Sequence, residues 1–180
     1  NIANMPSFGD SMNDATTSEA GMPMALPVFV LSFRHRDELA AAVARHGWHP
    51  IAARRIEGVE ARFIASGSRM AVIDARGAFY DGLEAVRTLS ETAEANMAAL
   101  LVLVSRTDVA KLDEIFAAGA THYLASPFGD EELRQALRFA ERHVDRVAGG
   151  AIAAPHRAAL AKDGHLSWQV DLGSGKVRLS

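Results

Sequence analysis

Short apolar runs alternate with longer amphipathic segments through most of the chain. The short runs are rich in β-branched and aliphatic residues, which is typical of buried strands. They are Pro27–Ser32, His49–Arg54, Met70–Asp74, Leu100–Val104 and Thr121–Ala125. The segments that follow have apolar residues three or four positions apart, which predicts helices. They are Asp37–His46, Val59–Ser66, Gly82–Met97, Val109–Ala118 and Glu131 to about Val147.

This order of elements predicts the fold class. Strands that alternate with helices of about 10–16 residues imply a parallel sheet covered on both faces. Right-handed crossovers leave few topologies, and we predict an α/β, flavodoxin-like (βα)5 doubly wound sheet with strand order 2-1-3-4-5. That order brings the carboxyl ends of the first and third strands together at the switch point, where such sheets place their chemistry. Asp74, the last residue of the third strand, is expected on this rim.

The chain has a different character before and after these units. Residues 1–26 are rich in Ser, Thr, Asn, Asp, Gly and Met and have no helical or strand period, which predicts a disordered tail. Gly149-Gly150 predicts the end of the last helix and a hinge. A further helix is predicted at Ala153–Ala161, so residues 148–164 are expected to form a partly helical linker.

The last residues predict a β-hairpin. Leu166–Leu172 alternates as a strand does, Gly173-Ser174-Gly175 predicts a turn, and Lys176–Leu179 predicts the return strand. We expect residues 165–180 to be the truncated start of a second domain.

Composition limits the classes of function. Apolar content is 49% and charged content 23%, which is typical of a globular protein, and the net charge of −3 gives no basic surface for nucleic acid. No apolar run approaches the roughly 20 residues that span a bilayer, and residues 1–26 lack the features of a signal peptide. Cysteine is absent, which excludes disulfides and thiolate metal sites. These features favour a cytoplasmic protein without nucleic-acid or membrane partners.

The sequence offers no set of residues for catalysis. The seven histidines show no metal-ligand spacing; they are His35, His46, His49, His122, His143, His156 and His165. Neither Ser66-Gly67-Ser68 nor Gly173-Ser174-Gly175 forms a phosphate-binding fingerprint, and no nucleophile-elbow motif occurs. We therefore expect no catalytic residue, no metal site and no cofactor in this segment.

Two motifs resemble those of one family. Asp74 begins the segment DARGAFYDGLEAVRTL, which resembles the part of response-regulator receiver (CheY-like) domains that starts with the phospho-accepting aspartate and continues through Met-Pro into Asp-Gly-Leu-Glu. Asp81-Gly82-Leu83-Glu84 stands at the matching separation, whereas Gly77-Ala78 replaces Met-Pro. The later segment AGATHYLASPF is similar to the receivers' Ala-Gly-Ala, Tyr-Leu, Lys-Pro-Phe run. Residues 27–147 are thus identified as a receiver-like domain.

The resemblance implies a phosphorylation site at Asp74, but three charged groups of such a site are replaced. The pair of acids that would hold Mg²⁺ falls on Ser32 and Phe33, and the lysine falls on Ser126. A lone carboxylate binds a hard divalent cation weakly, and phosphoryl transfer depends on positioning and charge neutralisation. We therefore expect a pseudo-receiver, in which Asp74 is either solvated or paired with an arginine, Arg76 or Arg34.

The resemblance also covers the two switch residues of receivers and a surface through which receivers dimerise. The switch hydroxyl falls on Ser105 and the switch aromatic on Tyr123. The last long helix carries a 4-3-4-3 apolar stripe that predicts its core face and, in its second half, pairing with a second copy. The stripe is Leu133, Leu137, Ala140, Val144 and Val147. Because receivers often dimerise through this helix, or through its face with the fourth helix and fifth strand, a homodimer is expected.

These features leave three hypotheses. The first is a non-catalytic regulatory module that acts by protein contacts with weak or no phosphorylation. The second is a phosphorylatable receiver that uses Asp74, a histidine kinase and weakly bound Mg²⁺, and the third is a flavodoxin-like domain that binds a small molecule. The segment that starts at Trp168, WQVDLGSGKV, resembles the opening of a PAS domain. By that resemblance the parent is a bacterial signalling protein with a diguanylate cyclase or cyclic-di-GMP phosphodiesterase output.

Overall fold

The computed structural model describes residues 24–162, 168–171 and 176–179, and the side chains of residues 24–150. Parallel strands form one five-stranded sheet in the order β2-β1-β3-β4-β5, which confirms the predicted fold class and strand order. The strands are β1 Pro27–Ser32, β2 His49–Ala53, β3 Met70–Asp74, β4 Ala99–Val104 and β5 His122–Ala125.

Helices connect the strands and cover both faces of the sheet. A 3-10 helix, Arg106–Lys111, precedes the fourth α-helix, where the sequence predicts one continuous helix. The α-helices are α1 Arg36–Arg45, α2 Val59–Ser66, α3 Phe79–Ala95, α4 Leu112–Ala118 and α5 Asp130–Lys162.

Each strand contributes to two apolar layers because its side chains point alternately to the two faces. Phe29 and Ile73 belong to the layer under α2, α3 and α4, whereas Val30 and Val72 belong to the layer under α1 and α5. Every residue of β3 and β4 is buried. Burial on both faces explains why these strands are continuous apolar runs rather than alternating ones.

Helix α3 begins at Phe79 rather than at the predicted Gly82. Gly82 lies inside the helix, where an added Cβ would stand 2.4 Å from the Cβ of Ala75. The glycine therefore allows α3 to approach the loop after β3, and it does not mark the helix start.

Helix α5 continues through Gly149 and Gly150 to Lys162, so the predicted helix end and hinge at these glycines are wrong. Neither glycine has the positive φ that a helix-ending glycine adopts. A glycine inside a helix costs only about 1 kcal/mol relative to alanine, which the helix tolerates. The helix predicted at Ala153–Ala161 is part of α5.

The predicted hairpin is present. Strands β6 (Trp168–Asp171) and β7 (Lys176–Leu179) pair antiparallel. The turn predicted at Gly173-Ser174-Gly175 and residues 1–23 of the predicted tail lie outside the described residues. The domain boundaries and the PAS resemblance stay predictions. Among the helices that the structure describes, none combines the length and apolar character needed to cross a membrane.

Candidate functional site

The carboxyl ends of β1 and β3 meet at the rim of the sheet, as the strand order requires. The parallel register pairs Ser32 with Asp74, and both residues are buried. A carboxylate buried in this way needs bonding partners, because burying an unpaired charge is costly.

Both carboxylate oxygens of Asp74 are bonded. The hydroxyl of Ser32 donates to Oδ2 at 2.8 Å. Arg76 donates from Nε to Oδ1 at 2.8 Å and from Nη2 to Oδ2 at 3.0 Å, and its backbone N–H donates to Oδ1 at 3.2 Å. Two parallel guanidinium bonds form the strong bidentate pair typical of arginine. Of the two arginines expected as partners, Arg76 is the one that pairs with Asp74.

The guanidinium of Arg76 is held on its other side by an aromatic ring. Its Cζ lies 4.9 Å from the ring centroid of Phe128, a cation–π contact. Phe128 lies two residues after Ser126, which occupies the position of the receivers' lysine by resemblance. An arginine from the β3–α3 loop thus supplies the positive charge next to Asp74, and Ser126 supplies none.

The positions expected to have lost the metal-binding acids have structural roles. The Ser32 hydroxyl also accepts a hydrogen bond from the backbone N–H of His35 at 2.9 Å, and Phe33 packs against the core. The acids of the first turn of α1 are exposed; Asp37 pairs with Arg36 and Arg54. Within the part of the chain that the structure describes, no three His, Cys, Asp or Glu residues are grouped as a metal site requires.

The two positions that correspond to the switch residues, Ser105 and Tyr123, have different surroundings. The Ser105 hydroxyl accepts a hydrogen bond from the Gly77 N–H at 3.1 Å, so it binds the loop after Asp74 rather than Asp74 itself. Gly77 has a φ of 68°, which favours glycine at this turn. Tyr123 is 57% exposed and lies on the outer surface of the sheet edge. The structure places Ser105 against the loop after Asp74 and Tyr123 on the exposed edge strand β5.

Sequence reasoning missed two contacts of this rim. The ammonium of Lys111 lies 4.8 Å from the ring centroid of Phe79 and 5.1 Å from that of Tyr80, and it pairs with Asp108 at 3.5 Å. Lys111 therefore connects the 3-10 helix to the start of α3 through these contacts. The stacking of Arg76 on Phe128 was also missed, because no spacing pattern links residues in different loops.

The predicted dimer stripe is largely core. Leu137, Ala140 and Val144 are at most 5% exposed and pack with Val28 and the other residues of the α1–α5 layer. Val144 therefore contributes to the core, because α5 stays on the sheet as far as this residue. Val147, the last residue of the predicted stripe, is exposed, at 36%. The pairing of this helix with a second copy, and the homodimer, stay predictions.

Several solved structures are similar to this chain. NtrX from Brucella abortus superposes with a TM-score of 0.60 at 17% identity over 74% of this chain, which spans 29% of the NtrX chain. The chemotaxis protein CheY4 of Vibrio cholerae gives 0.56 at 21% identity, over 64% of this chain and 98% of its own. The receiver domain of a modulated diguanylate cyclase from Desulfovibrio desulfuricans gives 0.56 at 17% identity, over 67% and 97%.

The fold is that of response-regulator receiver domains. The identities are low, so the likeness establishes the fold and leaves the chemistry of the site to its own residues. No protein-family sequence model matches the chain, and no curated protein matches it.

Proposed function

We propose that residues 27–147 form a non-catalytic, receiver-like regulatory module of a bacterial signal-transduction protein. The module acts through contacts with other proteins, with weak or no phosphorylation of Asp74. One observation carries the proposal: Asp74 is only 1% exposed, and both of its oxygens are bonded by Ser32 and Arg76.

This bonding opposes each requirement of phosphorylation. The reaction needs a free carboxylate oxygen as nucleophile and cations to neutralise the incoming phosphoryl group. The Asp74 oxygens are engaged, and neither Ser32 nor Phe33 can supply a carboxylate for Mg²⁺. Freeing Asp74 means breaking its pair with Arg76. Because the Arg76 side chain is 25% exposed, we expect a cost of about 2–4 kcal/mol, toward the lower end of the range for buried pairs.

Exposed aromatic side chains support the protein-contact part of the proposal. Phe116 of α4, Tyr123 of β5 and Phe139 of α5 are 77%, 57% and 65% exposed. Exposed apolar surface of this kind marks protein interaction sites. In a longer parent, hairpin β6–β7 would begin a PAS domain that precedes a cyclic-di-GMP output, and the module would regulate that output.

Mass spectrometry separates this proposal from a phosphorylatable receiver. The chain is incubated with acetyl phosphate and Mg²⁺, and its intact mass is measured beside that of Asp74→Asn. We expect no gain of phosphate in either protein. A gain of one phosphate in the chain, absent in Asp74→Asn, would overturn the proposal in favour of the phosphorylatable receiver with Asp74 as acceptor.

A further inference from the structure

The two edges of the sheet differ in their capacity to accept another strand. β2 contains Pro50, which has no N–H to donate. β5 (sequence HYLA) contains no proline, lysine, arginine or acid, and β4 is its one neighbour within the described sheet. An edge without such protective residues offers unpaired N–H and C=O groups to another chain.

A groove lies on each side of this edge. The α5-side groove, about 570 Å³, is lined by β5 and by α5 residues that include Ala136 and Phe139. The α4-side groove, about 220 Å³, is lined by β5 and by residues that include Ile115 and Phe116. Both grooves share residues 121–123 of the edge.

This arrangement matches the geometry of an added strand. Successive side chains of a strand point to opposite faces, so a chain paired with β5 would place alternate side chains in the two grooves. The difference in volume favours large apolar side chains on the α5 side and smaller ones on the α4 side. In such recognition, backbone hydrogen bonds supply affinity and the alternate pockets supply specificity.

The charge of the grooves indicates the kind of partner. Asp113, Glu131 and Glu132 line them, and neither groove has a lysine or arginine among its described lining residues. A hydrogen bond from Gln135 lowers the pKa of Glu131, and the nearby charge of Arg134 acts in the same direction, so Glu131 is ionised at neutral pH.

A basic partner fits this rim better than a second copy does. Arg134 pairs with Glu131 at 2.9 Å and offsets part of the negative charge. Arg138 and Arg142 line an adjoining groove that shares Gln135 and Phe139 with the α5-side groove, farther along α5 from Glu131 and Glu132. The acids lie in the first turns of α4 and α5, at the carboxyl end of β5. A second copy paired antiparallel through β5 would place the acids of the two copies at opposite ends of the strand pair, and β5 itself (HYLA) has no lysine or arginine that could pair with them.

We propose that the β5 edge binds an extended segment of a partner protein by strand addition. The segment has alternating large and small apolar side chains in its centre and lysine or arginine at the end that lies beside the first turns of α4 and α5. The inference rests on the proposed function, because it specifies the protein contact through which the module acts.

Paired peptides test the proposal. The probe is a fluorescent synthetic peptide that alternates Phe and Val between terminal lysines, titrated with the full chain and followed by anisotropy. Two analogues carry backbone N-methyl groups, one on the Phe nitrogens and one on the Val nitrogens. Because alternate N–H groups of a strand face opposite edges, one analogue should bind at least about tenfold more weakly and the other should bind as the parent does.

Protein variants and charge supply the controls. Phe139→Ala should weaken binding about tenfold, because aromatic anchors supply much of the binding energy of protein interfaces. Ile64→Ala, at an exposed position on α2, should leave binding unchanged. Replacing the terminal lysines by glutamates should also weaken binding. Both variants lie at exposed positions, so circular dichroism should show unchanged folding.

Other outcomes would overturn the inference. Equal binding of both N-methyl analogues would mean that side chains alone hold the peptide, and loss with both would indicate a helical ligand. No binding at ~1 mM peptide, where even weak complexes form, or self-association that Phe139→Ala abolishes would exclude the proposed occupant. Phosphorylation of Asp74 in the mass assay would refute the proposed function and leave the peptide result standing, so the two failures are distinguishable.

Discussion

At the scale of residues, Asp74 is a buried carboxylate whose oxygens are bonded within the chain. Its neighbours give it a hydroxyl, a backbone N–H and a bidentate guanidinium, so all of its strong bonding directions are used within the chain. The same bonds make it a structural residue. The Ser32 hydroxyl also accepts a hydrogen bond from the backbone N–H of His35, which connects Asp74 to the β1–α1 loop. Arg76 connects Asp74 to Phe128.

Removing Arg76 should therefore destabilise the fold. In Arg76→Ala the carboxylate of Asp74 stays buried without its counter-charge, and we expect a loss of about 2–4 kcal/mol in the free energy of unfolding. Urea denaturation followed by circular dichroism measures the change. Arg34→Ala is the matched control, because Arg34 is exposed at the same rim and Asp74 bonds to Arg76 instead.

A double-mutant cycle separates the pair from other effects of the substitution. In the background of Asp74→Asn, the Arg76→Ala change should cost less than about 1 kcal/mol, because no buried charge is left unpaired. An equal cost in both backgrounds would mean that Arg76 acts through its packing on Phe128 and not through Asp74.

The sequence predicted some of these residue roles and could not predict others. The positions that correspond to the acids and the lysine by the resemblance could be assigned, because Ser32, Phe33 and Ser126 fall at fixed offsets from strand ends. The choice of Arg76 over Arg34 could not be predicted, since it depends on the turn of the β3–α3 loop at Gly77 and on the approach of Phe128. Such contacts between loops leave no periodic signal in the sequence.

At the scale of elements, two glycines that lie inside helices differ in whether a neighbouring element contacts them. Gly82 in α3 sits where an added Cβ would lie 2.4 Å from the Cβ of Ala75, whereas a Cβ at Gly149 in α5 would meet nothing within 4 Å. The sequence placed the start of α3 near Gly82, three residues after its first residue Phe79. The helix end predicted from Gly149-Gly150 was wrong. The difference lies in the neighbouring element, which a local pattern does not contain.

Alanine substitutions should show this difference. Gly82→Ala forces α3 away from the loop after β3, and overpacking of this kind typically costs about 1–3 kcal/mol. Gly149→Ala should raise the free energy of unfolding by up to about 1 kcal/mol, because alanine has a better helix propensity than glycine. Thermal unfolding of the two variants beside the parent chain measures both effects. Equal behaviour of the two would contradict the close contact between Gly82 and Ala75.

The packing of α5 on β5 should make stability depend on pH. The rings of His122 and His143 meet edge to face at 5.1 Å, and burial, followed by the charge of His143, lowers the pKa of His122. The unfolded chain protonates His122 near pH 6.5, above the pKa in the folded chain. As pH falls below about 6.5, the unfolded state therefore binds more protons, and the folded state loses stability.

Replacing His122 should reduce this loss. We expect the urea midpoint of His122→Asn to fall less between pH 7.5 and pH 5.5 than that of the parent chain. His49→Asn, at an exposed position on the opposite edge strand, is the control and should keep the parent's pH dependence. An unchanged slope in His122→Asn would show that protonation of His122 is not coupled to folding.

At the scale of the whole molecule, the alternation of apolar runs and amphipathic segments was sufficient to predict the sheet and its strand order. Few topologies satisfy right-handed crossovers with five β–α units, so local patterns determined a global arrangement. The length of α5 was not predictable in this way. Its core stripe continues past Arg142 because the sheet still lies beneath Val144. The later part of the helix continues through two glycines, although each costs about 1 kcal/mol relative to alanine.

The fold leaves the chemistry of the site to its own residues, which leads to a prediction about conferring phosphorylation on Asp74. The variant Ser32→Asp, Phe33→Asp, Arg76→Asn, Ser126→Lys supplies two metal-binding acids and a lysine by resemblance to receivers, and it frees the Asp74 carboxylate. Because Mg²⁺ and the lysine then neutralise the phosphoryl group, we expect Mg²⁺-dependent gain of one phosphate from acetyl phosphate by intact mass, lost when Asp74→Asn is added. Arg76→Asn alone should gain none. Phosphorylation of that single variant would mean that Arg76, and not the missing acids, blocks the reaction; a folded but unreactive fourfold variant would place the defect elsewhere in the rim.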